Sequence, residues 1–448
     1  VTRAPAGFGG RRVPVLFLSI LLLLSSAGPA AARAGWKARI DRLVSGRTAA
    51  VSVAGGGETF YSHRPRSRNV PASNEKLLLS MALLDKLDPE FRIETTAVVT
   101  SSAAGVVPGN LWILGHGDPT LTSGGGYARQ LSELGPTRLG GLAREIRAAG
   151  IRRIQGSVVG GTGYFERDWW APGWDRDFPA EEIPIPTSLT FNGNQHRGRH
   201  ITDPELRAAK WLTKKLRSLG VRVSGRPRVG RPPQEKTTLA TIYSKKLAKL
   251  MRYMNRNSSN FFAEVLGKRL ARETFPGWGS IAKAARAIEA YARSAGVSVE
   301  ANDSSGLSYS NHVSSKGIAS LLETVGREEW SGVLMSTLPG YGEGTLEDRS
   351  STVRMRAKTG TLENISSLSG WVWLQQSRSW GEFSILSHGT SKYEAAQMED
   401  RIVRLIARYA GPRTAGRSVS GAGPIAAATT SLVAAAIARV TSRAAALV

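Results

Sequence analysis

The stretch "PASNEKLLLSMALL" (71–84) places Ser73 and Lys76 three positions apart, where an apolar helical pattern begins. On a helix such a pair shares one face, with Cβ atoms about 5 to 6 Å apart. That spacing suits a nucleophile and its base. A serine hydroxyl attacks well only when a neighbour takes its proton, and a lysine takes it only if its pKa is pulled well below the usual value. Burial against the helix or a second cation nearby would supply the pull. The competing reading is local, because serine also caps the unpaired N–H groups of a helix start. A second lysine, Lys358, stands with Thr359 and Gly360 in a strand-like alternation, "VRMRAKTGTLENISSLSGWV" (353–372). A lysine on a strand edge, beside a glycine that admits another backbone, can bind a carboxylate and its attached peptide together. Between the two lies "NDSSGLSYSNHVSS" (302–315), which supplies a further serine and asparagine.

Other chemistries find little here. The chain has no cysteine and six histidines without obvious partners, and it lacks both an H-E-x-x-H and a G-x-S-x-G segment. Neither a metal site nor a Ser-His-Asp hydrolase is expected, and no cofactor is implied. His116 in "GHGDPT" reads as turn chemistry. Trp169, Trp170 and Trp174 suit either stacking on sugar or a packed loop.

The elements that must position these residues follow from the pattern of the chain. Its 448 residues, 41% hydrophobic, suffice for two domains or one domain with a large insertion. "GWKARIDRLVSG" reads as an amphipathic helix, "TAAVSVAGGGETFYSHRP" as strand, turn and strand, and "NEKLLLSMALLDKL" as a helix. Short β-rich runs follow, with helices at "TRLGGLAREIRAAG" and "DPELRAAKWLTKKLRSLGV"; "RPRVGRPPQEK" reads as a surface connection. A helical region returns from "SKKLAKLMRYMNRNSSNFFAEVLGKRLARE" onward, and two strands flanking "SRSW" precede a last helix. At the start, Arg11 and Arg12, "VPVLFLSILLLL" and "SSAGPAAARA" have the order of a secretory signal, cleaved or retained as an anchor, which predicts export to the periplasm or the extracellular wall space. The net charge of +25 favours polyanions. With no nucleic-acid motif present, specific nucleic-acid binding is not expected; anionic wall polymers or a membrane surface are, beside the plain reading of a solvated face.

S-x-x-K followed by K-T-G is the motif set of class A β-lactamases and penicillin-binding proteins. The chain resembles the type-4 penicillin-binding D-Ala-D-Ala carboxypeptidases, the S13 peptidases, in "LWILGHGDPTLTS", "MNRNSSNFFAEVLGKRL", "DSSGLSYSN", "EGTLEDR" and "RAKTGTLENISSLSGWV". It departs from them at Ser304, where the family has glycine, and in "GGTGYFERDWW", which lacks an Asp the family often shows before its aromatic. "TSLTFNGNQ" is also followed almost at once by "DPELRAAKWL", so a third subdomain is expected to be reduced or missing.

The resemblance implies an α+β fold: a β-lactamase/transpeptidase-like domain, with an antiparallel sheet flanked by helices, carrying an inserted accessory α/β domain. The expected boundaries are a signal over 1–34, transpeptidase parts over 35–98 and 239–410, the insert over 99–238, and an Ala/Ser/Arg tail over 411–448. It implies that Ser73 is acylated and Lys76 is its base. Ser308 would relay a proton to the leaving amine and Asn311 would hold the acyl amide, with Ser310 a competitor for the Ser308 role. Lys358, Thr359 and Gly360 would meet the substrate carboxylate, and the backbone N–H groups of Ser73 and Thr361 would form the oxyanion hole. The implied activity is D-Ala-D-Ala carboxypeptidase action on peptidoglycan stem peptides, with cross-bridge endopeptidase action beside it and acylation by β-lactams. The alternative is a catalytically degenerate relative that grips the wall without turnover.

Overall fold

The computed structural model describes residues 35–411; the expected signal and, apart from Gly411, the expected tail lie outside the described residues. In chain order the principal elements begin with α1 (Trp36–Val44), β1 (Thr48–Gly55), β2 (Glu58–His63) and α2 (Glu75–Lys86). β3 (Arg92–Val99), β4 (Leu111–Gly115), α3 (Leu139–Ala148), β5 (Val158–Gly161), α4 (Pro204–Ser218), β6 (Arg228–Gly230) and β7 (Thr237–Lys246) follow. Helices α5 (Leu247–Asn257), α6 (Asn260–Thr274), α7 (Ile281–Ser294) and α8 (Ser315–Val325) come next, then β8 (Met355–Leu362), β9 (Ile365–Leu374), β10 (Ser379–His388) and α9 (Lys392–Tyr409).

The first and last thirds build one antiparallel sheet in the order β8-β9-β10-β1-β2. Alternation in β1 sends Val51 and Val53 into a core with Ile40 and Val44 of α1 and Ile402, Val403 and Ile406 of α9. Helices α1 and α9 therefore cover the same face, while α8 packs against β1 and β10. A second core joins α2 to α5, α6 and α7. Helix α2 is closed in all round: Leu77, Leu78, Leu79, Met81 and Leu83 are fully buried, so its first turn is held on every side.

A second sheet, β6-β5-β4-β3-β7, has its own core with α3 and α4. Its parallel pairs are β6–β5 and β5–β4, and β3 pairs antiparallel with β4 and β7. This sheet runs from Arg92 to Lys246 and so straddles the positions 98/99 and 238/239. After "TSLTFNGNQ" the chain makes only a two-residue hairpin, Gln195–His196 with Arg199–His200, before α4. The "RPRVGRPPQEK" connection differs from expectation in part, since Arg228–Gly230 adds an edge strand. An exposed edge has no face to bury, so its sequence stays polar and carries no alternation.

Candidate active site

Ser73 lies in a single 3₁₀ turn, Ala72–Asn74, that leads directly into α2. Ala72 holds a left-handed φ of 47°, a strained conformation for a residue with a side chain. It persists because the turn is wedged from outside: a Cβ on Gly306 would fall 1.9 Å from the Ala72 carbonyl oxygen, so only glycine fits there. The capping reading of Ser73 does not hold, because α2 starts after Asn74 with no side-chain cap. The Ser73 hydroxyl instead accepts a hydrogen bond from Lys76 Nζ at 2.9 Å.

Lys76 is fully buried at the foot of the apolar α2. Its ammonium also donates to Asn260 Oδ1 at 2.8 Å and to the carbonyl oxygen of Ser305. Burial pulls its pKa down to about 8, against the opposing pull of Asp303, Glu264, Glu182 and Glu75. The expected help from a second cation acts on the other lysine: Lys358, also fully buried, is lowered well below the ordinary value by burial and by the charge of Lys76. Two of the neighbouring carboxyls are pushed upward by the same burial. Glu75 is raised well above the usual range and Glu264 to about 8, each with Asp303 adding repulsion.

Lys358 sits on β8, the edge strand of the main sheet. Its Nζ donates to Ser258 Oγ at 3.0 Å and to the Thr359 carbonyl at 2.7 Å. Gly360 lets this strand approach the nucleophile, since a Cβ there would fall 2.8 Å from the Ser73 nitrogen. The N–H of Ala357 donates away from β9, to the Pro339 carbonyl at 3.0 Å. In an antiparallel strand amide direction alternates with period two, so the N–H groups of Thr359 and Thr361 face the same open edge. Thr361 thus presents its amide to the edge at which Gly360 approaches the Ser73 nitrogen. The Thr359 hydroxyl donates to Thr345 Oγ1 at 2.7 Å.

The expected pair Ser308 and Asn311 needs correcting. Both are fully buried in a loop organised by Asp303. Asp303 accepts from the backbone N–H groups of Gly306 and Ser308, from Ser305 Oγ, from Trp174 Nε1 at 2.8 Å and from Asn311 Nδ2 at 2.7 Å. Asn311 Oδ1 accepts from the Asn302 N–H, which engages both ends of its amide inside the loop. Ser308 Oγ donates to the Pro172 carbonyl at 2.6 Å and accepts from the Ser310 N–H. Neither side chain bonds to Ser73, Lys76 or Lys358; the loop reaches the lysine only through the backbone oxygen of Ser305. Trp174 is buried as part of this packing, Trp169 Nε1 donates to the Ile183 carbonyl, and Trp170 stays 48% exposed.

The serine and asparagine that do meet the lysines are Ser258 and Asn260, in the corner between α5 and α6. Ser258 ends α5 in a left-handed conformation (φ 51°, ψ 37°), and Ser259 caps α6 by accepting from the Phe262 N–H. The corner therefore turns the residues on either side of the cap toward the cleft, Ser258 to Lys358 and Asn260 to Lys76. The signal was present in "MNRNSSN": Ser258-Ser259-Asn260 has the S-x-N spacing, whereas Ser308 and Asn311 stand three apart.

Comparison with known proteins identifies the family. Residues 37–199 and 183–409 match the model of the D-Ala-D-Ala carboxypeptidase 3 (S13) family. A D-alanyl-D-alanine carboxypeptidase of Actinomadura sp. (strain R39) is 26% identical, over 91% of this chain and 93% of the relative. A carboxypeptidase of Mycobacterium tuberculosis is 30% identical over 67% of each chain. The crystal structure of penicillin binding protein 4 from Haemophilus influenzae superposes with a TM-score of 0.71 at 20% identity, covering 83% of this chain and 99% of that one, which shows the α+β transpeptidase-like fold. The chain belongs to the S13 family of D-Ala-D-Ala carboxypeptidases and is a serine-type carboxypeptidase.

Proposed function

We propose that the chain removes the terminal D-alanine of peptidoglycan stem peptides through an acyl-enzyme on Ser73. The observation that carries this reading is the position of Lys76 Nζ, within hydrogen-bond reach of Ser73 Oγ and Asn260 Oδ1 together. Neutral Lys76 takes the hydroxyl proton as Ser73 Oγ attacks the carbonyl carbon between the two D-alanines. The N–H groups of Ser73 and Thr361 hold the tetrahedral oxygen. Its collapse breaks the C–N bond. The departing amine receives, by way of Ser258 Oγ, the proton that Lys76 took, which leaves Lys76 neutral again; Lys76 then takes a proton from the water that attacks the ester and returns it to Ser73 Oγ as the ester bond breaks.

Asn260 Nδ2 holds the carbonyl of the acyl residue while Oδ1 fixes Lys76. Lys358 and Thr359 receive the free carboxylate. An incoming carboxylate favours the charged form of Lys358, so a buried lysine with a lowered pKa takes up a proton as substrate binds.

β-Lactams place a strained amide and a carboxylate in the same positions and stop at the ester. A relative's crystal structure, that of Haemophilus influenzae penicillin binding protein 4, contains a β-lactam. Export is part of the same proposal, since the substrate is outside the cytoplasm; among the described residues no helix is long and apolar enough to cross a membrane. Intact mass before and after benzylpenicillin, with mapping of the adduct, tests the assignment. The expected result is one adduct on the peptide containing Ser73, lost in Ser73→Ala. No adduct on folded protein would favour the non-catalytic wall binder.

A further inference from the structure

Away from the cleft, α1 and α9 lie side by side on the main sheet and leave a groove of about 530 Å³ between them. Arg39, Arg42, Arg401, Arg404 and Arg408 line it together with Leu43, Leu405 and Tyr409, and among the described residues no carboxylate does. Among the described residues none of the five guanidinium groups forms an ion pair. A nearby arginine is treated differently: Arg349 pairs with Glu399 at 2.8 Å and Asp400 at 3.4 Å. The five are also spaced to converge. Arg401, Arg404 and Arg408 fall on one face of α9, spanning about 10 Å along its axis, and Arg39 and Arg42 are one turn apart on α1. All of them therefore lie within about one Debye length of a neighbour, where like charges repel and each destabilises its helix slightly.

We infer that this groove is a binding site for a linear phosphodiester polymer. Guanidinium is matched to phosphate by its planar fork of donors, and successive groups along about 10 Å would engage successive phosphates. The shape favours a chain over a bilayer. A helix that lies on lipid presents an apolar face outward, whereas the apolar faces of α1 and α9 are largely consumed by packing on the sheet: in the groove the five arginines are the exposed residues, and Leu43, Leu405 and Tyr409 are half-buried between them. The site needs no chemistry at Ser73 and is a separate property of the protein. It would hold the enzyme on an envelope polymer while the cleft samples stem peptides.

The test is binding of a labelled glycerol-phosphate oligomer to the purified full chain, by fluorescence anisotropy across a salt series. Arg401→Gln/Arg404→Gln/Arg408→Gln should weaken binding at least about tenfold and lower the salt slope by about two to three. A control triple at exposed arginines of the insert, Arg144→Gln/Arg222→Gln/Arg228→Gln, should leave both nearly unchanged. Benzylpenicillin acylation of the groove variant should match wild type and so report its fold; if that variant fails to fold, Arg39→Gln/Arg42→Gln takes its place. Four results would overturn the inference: no binding by wild type, full binding by the groove variant, equal loss in the control triple, or arginine-dependent binding to anionic phospholipid vesicles without binding to the oligomer.

Discussion

Two loops of this molecule carry the same residue types and use them in opposite ways. The corner at Ser258–Asn260 sits between two helices whose own caps are already made, so its serine and asparagine side chains are free to reach the two lysines. The loop at Asp303–Asn311 has no helix to organise it. It is built around one buried carboxylate, and Ser305, Ser308 and Asn311 are spent on holding that loop together. The hydroxyl and amide oxygen of the corner face the lysines, whereas those of the second loop are engaged within it. The second loop still serves the site indirectly, by presenting the Ser305 carbonyl to Lys76 and wedging Gly306 under the strained Ala72.

Substitutions separate the two roles, and the largest effect belongs to the corner. Ser258→Ala removes the hydroxyl that bonds Lys358 and that relays the proton in the proposed mechanism; the rate of acylation by benzylpenicillin should fall about 10²- to 10³-fold with little change in melting temperature. The pH profile comes next. Because the base form of Lys76 is the neutral one and burial sets its pKa to about 8, the acylation rate should fall about tenfold per unit as pH drops below 8 and level off above it. A profile flat from pH 6 to 9 would remove Lys76 from the role of base.

On the other loop the expected change is in stability. Asn311→Ala leaves Asp303 Oδ1 with one bond fewer in a buried setting and should cost about 1 to 3 kcal/mol of unfolding free energy, read by denaturant titration. The smallest effect is expected at Ser308→Ala: acylation within about threefold of wild type and a loss of about 1 kcal/mol for the bond to Pro172. A loss at Ser308 as large as that at Ser258 would erase the distinction between the two loops.

The sequence shows the ends of this comparison better than its middle. Ser73 and Lys76 are legible because their spacing coincides with the start of a helix, and Lys358 to Gly360 because a strand pattern surrounds them. Helices α1, α2, α3 and α4 follow from periodicity, and the strands β9 and β10 from their shared turn. The second Ser/Asn pair was read at the wrong loop because residue type and chain order cannot reveal which hydroxyls are already taken; Asp303, which takes them, acts through contacts far apart in sequence, such as that with Trp174. The direction of the electrostatic coupling was equally hidden. Both lysines are buried, but the carboxyls around Lys76 come from four separate segments of the chain, at Glu75, Glu182, Glu264 and Asp303, and only the fold gathers them. The strand Arg228–Gly230 was missed for the simpler reason that an edge strand needs no apolar face.

The most direct test of the account compares Asn260→Ala with Asn311→Ala, both confirmed as folded by circular dichroism, in the second-order rate of acylation by benzylpenicillin at pH 8.5. The account predicts a loss of about 100-fold or more for Asn260→Ala, which frees Lys76 and removes the amide donor, and a near-normal rate for Asn311→Ala. A normal rate in Asn260→Ala with a collapsed rate in Asn311→Ala would contradict it and return the second catalytic pair to the Asp303 loop.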